Sequence, residues 1–566
     1  MSRRIPSARI IFFFLLFLPD SAFNDARLAE RGNRQPVSAD SLFSDLACGN
    51  CHGGIPQSGD VLLSAPSLSY AGLRYNPAYL FRYLGSPTRV RRHIGSLRMP
   101  DFGLDEKERL ALTMFLAMQQ QRSPTLPRFL AKLNNMNQRA RSGTDIRNLI
   151  VEELRCTACH TFQGEGGEIA GELMDVGERV KPDWLAEYLA FPQAFDPRSP
   201  MPAVFYTMSE VEQRLREVVL NAADKIESLV TYFDSTAVVR RTLLDREFER
   251  AKAAHPTVTA RQGEKIFVAL NCAACHLVGS MRAWQNAPDL SAVGSRVTRA
   301  WLGSYLERPE PIRSFGFYPG TGSRMPDYNL TGEEIKTIGD YLFAQKPTAS
   351  RGMSFLPGVL SPFGRAKAVK LVKDKLPCLG CHSLNGDGGK VAPDLSGIGT
   401  RLQPDYVRAI IEDPASTAPG SIMPKTPMTE NEVELIARYL LQNDTPSGKT
   451  VSLPLTEAPT IAHSDTGTVK GLYLRYCSPC HGETGNGDGF NAHFLPLQPA
   501  PHASASAMSG RSDDTLFDGI HSGGAILTKN HRMPAFGETL SREQIRAIVR
   551  YIRELCQCEG PVWSRN

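Results

Sequence analysis

Residues 271–276 read NCAACH, with two cysteines three positions apart and a histidine directly after the second. Taken alone, this stretch fits three kinds of site: a redox-active dithiol, half of a zinc site, or an attachment point for a covalent cofactor. A dithiol gives no reason for the histidine, and a structural zinc usually takes two closely spaced ligand pairs. The rest of the chain therefore has to decide between them.

The same C-x-x-C-H pattern occurs five times and uses ten of the twelve cysteines. The motifs are Cys48, Cys51 and His52; Cys156, Cys159 and His160; Cys272, Cys275 and His276; Cys378, Cys381 and His382; and Cys477, Cys480 and His481. Chance predicts about 0.005 occurrences at these frequencies of cysteine and histidine, and the pattern is the attachment signature of haem c. Haem c uses every part of it, because two thiols add to vinyl groups and the histidine binds iron as proximal ligand. We therefore predict five covalent haem c groups.

A Met-Pro dipeptide follows each motif at a similar place in an internal repeat of about a hundred residues. Thioether sulfur is a soft ligand that suits haem iron, and proline fixes the loop that presents it. The predicted second axial ligands, each opposite the histidine of its own unit, are Met99, Met201, Met325, Met423 and Met533. Rival ligands are Met208, Met428, Met508, His93, His521 and His531. We prefer the Met-Pro methionines to these rivals because the same position in the repeat supplies a ligand in all five units.

A short helix is predicted after each Met-Pro, including residues 208–220 of the second unit. Thr331 and Ser541 are its expected N-caps in the third and fifth units, with Glu334 and Gln544 completing capping boxes. The apolar face of the third unit's helix is Ile335, Ile338, Tyr341 and Leu342. It is expected to pack on the helix that precedes the motif of the same unit, residues 261–270.

Each unit resembles a class I cytochrome c domain, with the C-x-x-C-H motif early, a methionine late and a closing helix. The fifth unit is similar to domains that serve as electron-accepting modules of periplasmic oxidoreductases and terminal oxidases. The resemblance covers residues 36–556 and implies an all-α fold of five tandem small helical domains, each wrapped around a covalent haem, with loop-rich connections. The expected domains are 36–122, 140–235, 257–346, 360–444 and 465–556. Residues 240–258 form a charged segment between the second and third domains, and we expect a connecting helix there.

The N-terminus is typical of a secretory signal peptide, predicted to cover residues 1–24. Arg3, Arg4 and Arg9 precede an apolar run at 10–18 that is too short to span a bilayer. No later segment has 18 consecutive apolar residues, so no transmembrane helix is expected. We therefore predict a periplasmic or otherwise exported protein.

The charge of the chain gives no support to nucleic-acid binding. The formal net charge of +5 falls to +3 without residues 1–22, and five ferrous haems would bring it to about −7. The arginines near the predicted sites are expected to pair with haem propionates or to face solvent: Arg91, Arg92, Arg98, Arg282, Arg296 and Arg299. Cys556 and Cys558 lack a following histidine, and their role stays open between an intermolecular disulfide, a metal site and free thiols.

These features predict a periplasmic electron carrier rather than an enzyme, with no catalytic residues and with other redox proteins as partners: a dehydrogenase, a cytochrome or a terminal oxidase. One alternative is a cytochrome subunit of a larger dehydrogenase or oxidase complex, associated peripherally with a membrane. Another is a haem peroxidase, if one iron lacks its methionine.

Overall fold

The structure is a computed structural model of the 566-residue chain. It describes residues 38–52, 54, 65–88, 99–121, 145–195, 199–208, 215–276, 278, 280–281, 287–313, 315, 324–346, 355, 358–443, 445, 455–456, 467–527 and 530–564. The predicted signal peptide lies outside these residues. Among the helices within them, none combines the length and the apolar character needed to cross a bilayer.

The described chain is mainly helical, which confirms the predicted all-α class. Up to residue 254 the α-helices are α1 (Ala39–Asp45), α2 (Ala71–Arg74), α3 (Pro77–Gly85), α4 (Glu106–Ala117), α5 (Ile146–Asn148), α6 (Val176–Arg179), α7 (Pro182–Ala190) and α8 (Ala222–Ala254). Beyond it they are α9 (Ala260–Ala269), α10 (Val293–Arg296), α11 (Arg299–Glu307), α12 (Gly332–Ala344), α13 (Pro362–Lys370), α14 (Cys378–Cys381), α15 (Ile398–Arg401), α16 (Pro404–Glu412), α17 (Pro414–Thr417), α18 (Glu430–Leu441), α19 (Val469–Tyr476), α20 (Ser478–His481), α21 (Ala505–Met508), α22 (Asp513–Ser522) and α23 (Arg542–Cys556).

Shorter elements connect these helices. The 3₁₀ turns are Cys48–Asn50, Cys156–Ala158, Leu173–Asp175, Pro192–Ala194, Cys272–Ala274, Phe490–Phe494 and Val562–Ser564, and Leu149–Glu153 and Leu371–Lys375 are π-helical. Three small antiparallel pairs join β1 (Thr161–Phe162) to β2 (Glu165–Gly166), β3 (Tyr206–Met208) to β4 (Leu215–Glu217), and β5 (Ser383–Leu384) to β6 (Asp387–Gly388). The strands are too short to form a core layer.

The predicted capping boxes are confirmed at both positions. Thr331 accepts a hydrogen bond from the N–H of Glu334, whose carboxylate accepts one from the N–H of Thr331, and Ser541 and Gln544 repeat this pairing. At the start of each helix, two backbone N–H groups that have no partner within the helix are thereby hydrogen-bonded by side chains three residues apart. Such local signals fix where α12 and α23 begin.

The closing helix of the second unit is not where the sequence predicted it. Where a helix over 208–220 was predicted, the described residues 206–208 and 215–217 form strands β3 and β4, and the helix begins at Ala222. Asn221 has a φ of 57°, which interrupts the helical backbone, and Glu217 Oε1 accepts a hydrogen bond of 2.6 Å from the N–H of Ala222. The resulting 33-residue helix α8 includes part of the charged segment 240–258, so the expected connecting helix is present up to Ala254.

Helix packing differs from expectation in the first and third units. Leu42, Phe43 and Leu46, from α1 and its C-cap, share a core with Ile338 and Leu342 of α12. Helix α9 packs instead on α4, with the rings of Phe267 and Phe115 5.5 Å apart between centroids. The predicted contact of α12 with the helix at 261–270 is therefore wrong, because α1 of the first unit takes that place. We call residues 38–52 and 260–276 the motif segments, and residues 65–121 and 287–346 the first and third bodies.

Short backbone bridges join neighbouring units. Tyr75 of the first body pairs with Val180 of the second unit, and Val297 of the third body pairs in the same way with Leu402 of the fourth unit. Asp101 of the first body pairs with Asp327 of the third. The fourth and fifth units meet at Arg532, which bonds Asp387. These contacts connect the units in the order second, first, third, fourth, fifth.

Candidate functional site

Every C-x-x-C-H motif folds into one tight turn. The N–H of its histidine donates to the carbonyl of its first cysteine, at 2.9–3.0 Å in all five. In the third motif Asn271 enters the turn with a φ of 55°, a left-handed conformation that asparagine tolerates well. One helical turn thus presents two thiols and an imidazole together.

Each motif histidine has its Nδ1 next to a backbone carbonyl oxygen. The five contacts are His52 with Pro288 at 2.9 Å, His160 with Gly171 at 2.7 Å, His276 with Pro66 at 3.0 Å, His382 with Pro393 at 2.7 Å and His481 with Ala500 at 2.8 Å. A carbonyl only accepts, so Nδ1 carries the proton and Nε2 keeps its lone pair. Such a bond orients a metal-binding imidazole and raises its basicity. Burial also lowers the pKa of four of these histidines, which favours the neutral form that binds iron: His52, His276, His382 and His481.

Burial raises the pKa of nine of the ten motif thiols, whereas Cys159 is exposed. Burial, reinforced by repulsion from Cys275, raises the pKa of Cys272 to about 12, and burial raises that of Cys378 to about 11. Redox-active C-x-x-C pairs depend on lowered thiol pKa values. The environment therefore disfavours a dithiol switch and suits thioether attachment in an apolar pocket.

The first and third motifs contact the body of the other unit. His52 bonds Pro288 across 236 residues and His276 bonds Pro66 across 210 residues, whereas the other three histidines bond carbonyls 11 or 19 residues away. The structure therefore does not bring His276 into the body that carries Met325, where the sequence placed it. The two motif segments hold equivalent positions in the repeat, so the sequence could not assign each segment to its body.

Motifs lie against one another in two pairs. Asn50 Nδ2 donates to the carbonyl of Ala274 at 2.7 Å, and Asn271 Nδ2 donates to Cys51 Sγ at 3.4 Å. In the fourth and fifth units Asn491 Nδ2 bonds both the carbonyl of Gly380, at 2.7 Å, and Cys480 Sγ, at 3.2 Å. The first motif is thus adjacent to the third, and the fourth to the fifth.

The five Met-Pro methionines are all half-buried. In the second and fourth units a serine two residues earlier holds the loop, since Ser199 Oγ and Ser421 Oγ accept from the N–H of Met201 and Met423 at 3.3 and 3.1 Å. Met99, Met325 and Met533 lie against apolar clusters. Their role as iron ligands stays a prediction.

Several rival ligands have other roles in the fold. Met508 is fully buried in the core of the fifth unit, and Met428 packs against that of the fourth. His531 Nε2 lies 2.9 Å from the carbonyl of Lys373, and His521 Nδ1 lies 3.1 Å from Ser522 Oγ. His93 and the side chain of Met208 lie outside the described residues.

The arginine before the methionine binds a neighbouring unit in two cases. Arg324 makes two bonds of 2.8 and 2.9 Å to the carboxylate of Glu108 in the first body. Arg532 makes two bonds of 3.1 Å to Asp387 in the fourth unit. These ion pairs hold the loops of Met325 and Met533 against the adjacent units.

A cluster of arginines lies where the third and fourth units meet. Burial, together with repulsion from Arg313, lowers the pKa of Arg401 to about 10, and burial also lowers the pKa of Arg296. Carboxylates such as haem propionates would relieve this repulsion. Arg299 instead forms an exposed ion pair with Asp340, as the solvated alternative predicted. Arg91, Arg92, Arg98 and Arg282 lie outside the described residues.

Sequence reasoning missed His502. Its ring stacks on that of His481 with centroids 3.9 Å apart, and its Nδ1 lies 3.0 Å from the hydroxyl of buried Tyr473. The repeat gave no signal for it, because the fifth unit diverges from the others in this middle stretch. Cys556 and Cys558, for which the sequence left an intermolecular disulfide, a metal site or free thiols open, are instead bonded to each other as a disulfide.

Comparison with known families agrees with this arrangement. Residues 260–345 and 366–444 match the cytochrome c family, and residues 464–552 match subunit III of cbb3-type cytochrome c oxidase. A search of curated proteins found no match. The chain thus contains two cytochrome c domains and one cbb3-type cytochrome domain, which is consistent with a multidomain class I cytochrome c protein. It is a haem-based electron-transfer cytochrome, and its cytochrome c domains carry covalently bound haem c. The buried thiols, the Nδ1-bonded imidazoles and the clustered arginines fit that cofactor.

Proposed function

We propose that the chain is an exported five-haem electron carrier in which every iron is held by histidine and methionine. The observation that carries the proposal is the shared geometry of all five motifs: one turn, two thiols, and an imidazole whose Nδ1 faces a carbonyl. The haem would supply one-electron chemistry by alternating between ferrous and ferric iron. The chain's residues attach it, keep water from it and fix its ligands.

The partners we propose are other redox proteins in the periplasm: a dehydrogenase, another cytochrome or a terminal oxidase. The match of the fifth unit to an oxidase subunit supports a second candidate, a cytochrome subunit of a larger complex. In that case the fifth unit would pass electrons to the partner. A peroxidase is disfavoured because each unit has a Met-Pro dipeptide available for its iron.

The test is to purify the exported chain and measure haem per polypeptide together with the oxidised spectrum. We expect five haems, all low-spin, with the far-red band typical of methionine–ferric iron ligation. A variant with Cys477→Ser and Cys480→Ser should lose about one fifth of the haem. Fewer than five haems in the unmodified chain would refute the count. A high-spin fraction that binds cyanide or turns over peroxide would refute a pure carrier.

A further inference from the structure

The contacts of the first and third motif segments are reciprocal. His52 bonds Pro288 in the third body, and His276 bonds Pro66 in the first body. Both carbonyls belong to the same Ala-Pro element of the repeat, at residues 65–66 and 287–288. The two contacts are therefore equivalent, which is the pattern of a domain swap between homologous elements.

The apolar cores follow the same exchange. Met325 and Cys48 lie against one cluster, built from α1 and the third body. Met99 and Cys272 lie against another, which joins α9 to the first body and continues into the second unit. Tyr328 of the third body is half-buried and packs against the cluster that Cys48 and Met325 also contact, and burial, then the nearby thiols of Cys48, Cys51 and Cys275, raise its pKa. Both methionines thus share a core with a cysteine of the other unit.

We propose that the first and third cofactor sites are composite, each built from two units. Resting on the proposed function, the haem attached to Cys48 and Cys51 takes Met325 as its second axial ligand. The haem attached to Cys272 and Cys275 takes Met99. The second, fourth and fifth sites take both axial ligands from one unit.

Contacts between the two motif segments brace the exchange. Asn271 is buried, with an exposed fraction of 3 %, and its amide reaches Cys51 of the other segment. In the opposite direction, the side-chain amide of Asn50 donates to the carbonyl of Ala274 in the third motif segment. The ion pair between Glu108 and Arg324 then ties the first body to the loop of Met325. Each composite site is therefore held through both of its parts.

The test labels one haem and asks which methionine controls it. Cys48→Ala leaves that haem on a single thioether with one free vinyl group, which moves its α-band to longer wavelength. A potentiometric titration followed at this band reports the labelled haem alone. Combined with Met325→Ala, its midpoint potential should fall, because thioether ligation raises the potential. Combined with Met99→Ala, its potential should stay unchanged.

The matched control is the fourth unit, where no exchange occurs. A haem labelled by Cys378→Ala should respond to Met423→Ala and to neither Met99→Ala nor Met325→Ala. If the haem labelled at Cys48 responds to Met99→Ala, the exchange is refuted while the proposed function stands. If the unmodified chain binds fewer than five haems, the proposed function itself is refuted, independently of the exchange.

A second measurement does not need a single-thioether haem. Cys48→Ser with Cys51→Ser removes the first haem, and Met325→Ala is then added. Composite sites predict that the far-red band falls by about one fifth, since both changes affect the same iron. If each site takes both axial ligands from one unit, the far-red band should fall by about two fifths, which would overturn the proposal. In the same background, Met423→Ala should lower the far-red band by about two fifths, whether the first and third sites are composite or each built from one unit.

Discussion

Glu108→Gln should strongly weaken the junction between the first and third bodies. The Glu108 side chain is fully buried, and its carboxylate accepts four hydrogen bonds: two from Arg324, at 2.8 and 2.9 Å, and one each from the N–H groups of Asp105 and Leu455, at 3.0 and 3.1 Å. Arg324 has only 14 % of its side chain exposed. Neutralising one partner leaves the other as an uncompensated buried charge, which costs about 3–5 kcal/mol.

The control is Glu165→Gln in the ion pair with Arg147. Arg147 and Glu165 are 56 % and 72 % exposed, so water solvates both side chains and the expected cost is only about 0–1 kcal/mol. The assay is urea unfolding of the holoprotein, followed by circular dichroism and by the far-red band. In the Glu108 variant part of the band should be lost at lower urea, because the loop of Met325 loses its anchor. Equal midpoint shifts for the two variants would refute the reasoning from burial.

Three further predictions concern helix packing, a helix cap and the fifth haem. Gly263→Ala should destabilise the protein by about 1–3 kcal/mol in urea unfolding, because the added Cβ would lie 1.9 Å from the carbonyl oxygen of Ala111. The control Gly303→Ala, whose Cβ would have nothing within 4 Å, should be neutral or stabilising, and equal losses of stability in the two variants would contradict the prediction. Thr331→Ala should cost about 1 kcal/mol through loss of the cap of α12, and an unchanged midpoint would contradict it. Tyr473→Phe should shift the midpoint potential of the fifth haem, because His502 loses the hydroxyl that fixes it over His481; redox titration with an unshifted value would contradict it.

Local features of the fold could be predicted because their causes lie within a few residues. The C-x-x-C-H turns need only five consecutive positions, and the capping boxes of α12 and α23 need four. The sequence also placed a methionine loop in each unit. The closing helix of the second unit was predicted wrongly, because helical spacing at 208–220 gave no weight to the helix-breaking backbone of Asn221.

The exchange between the first and third units could not be predicted from the sequence. Phe43 and Phe267 occupy the same position relative to their motifs, and each packs on the closing helix of the other unit. A repeat makes the two pairings nearly equal in composition, so only three-dimensional contacts such as that of His52 with Pro288 distinguish them. The same limit applies to His502, whose role depends on a stacking contact with a residue 21 positions away.

The exchange has a consequence for biosynthesis. A chain made from its N-terminus displays the first body long before residues 260–276 exist, since the contact of Pro66 with His276 spans 210 residues. Until then the face of α4 around Ala111 and Phe115, which α9 later covers, stays open to water and to other chains. Contacts so distant in sequence form late and slowly. A polypeptide truncated before residue 260 should therefore bind chaperones and aggregate, whereas one extended through residue 346 should not. The maturation of the first body waits on the synthesis of the motif segment 260–276.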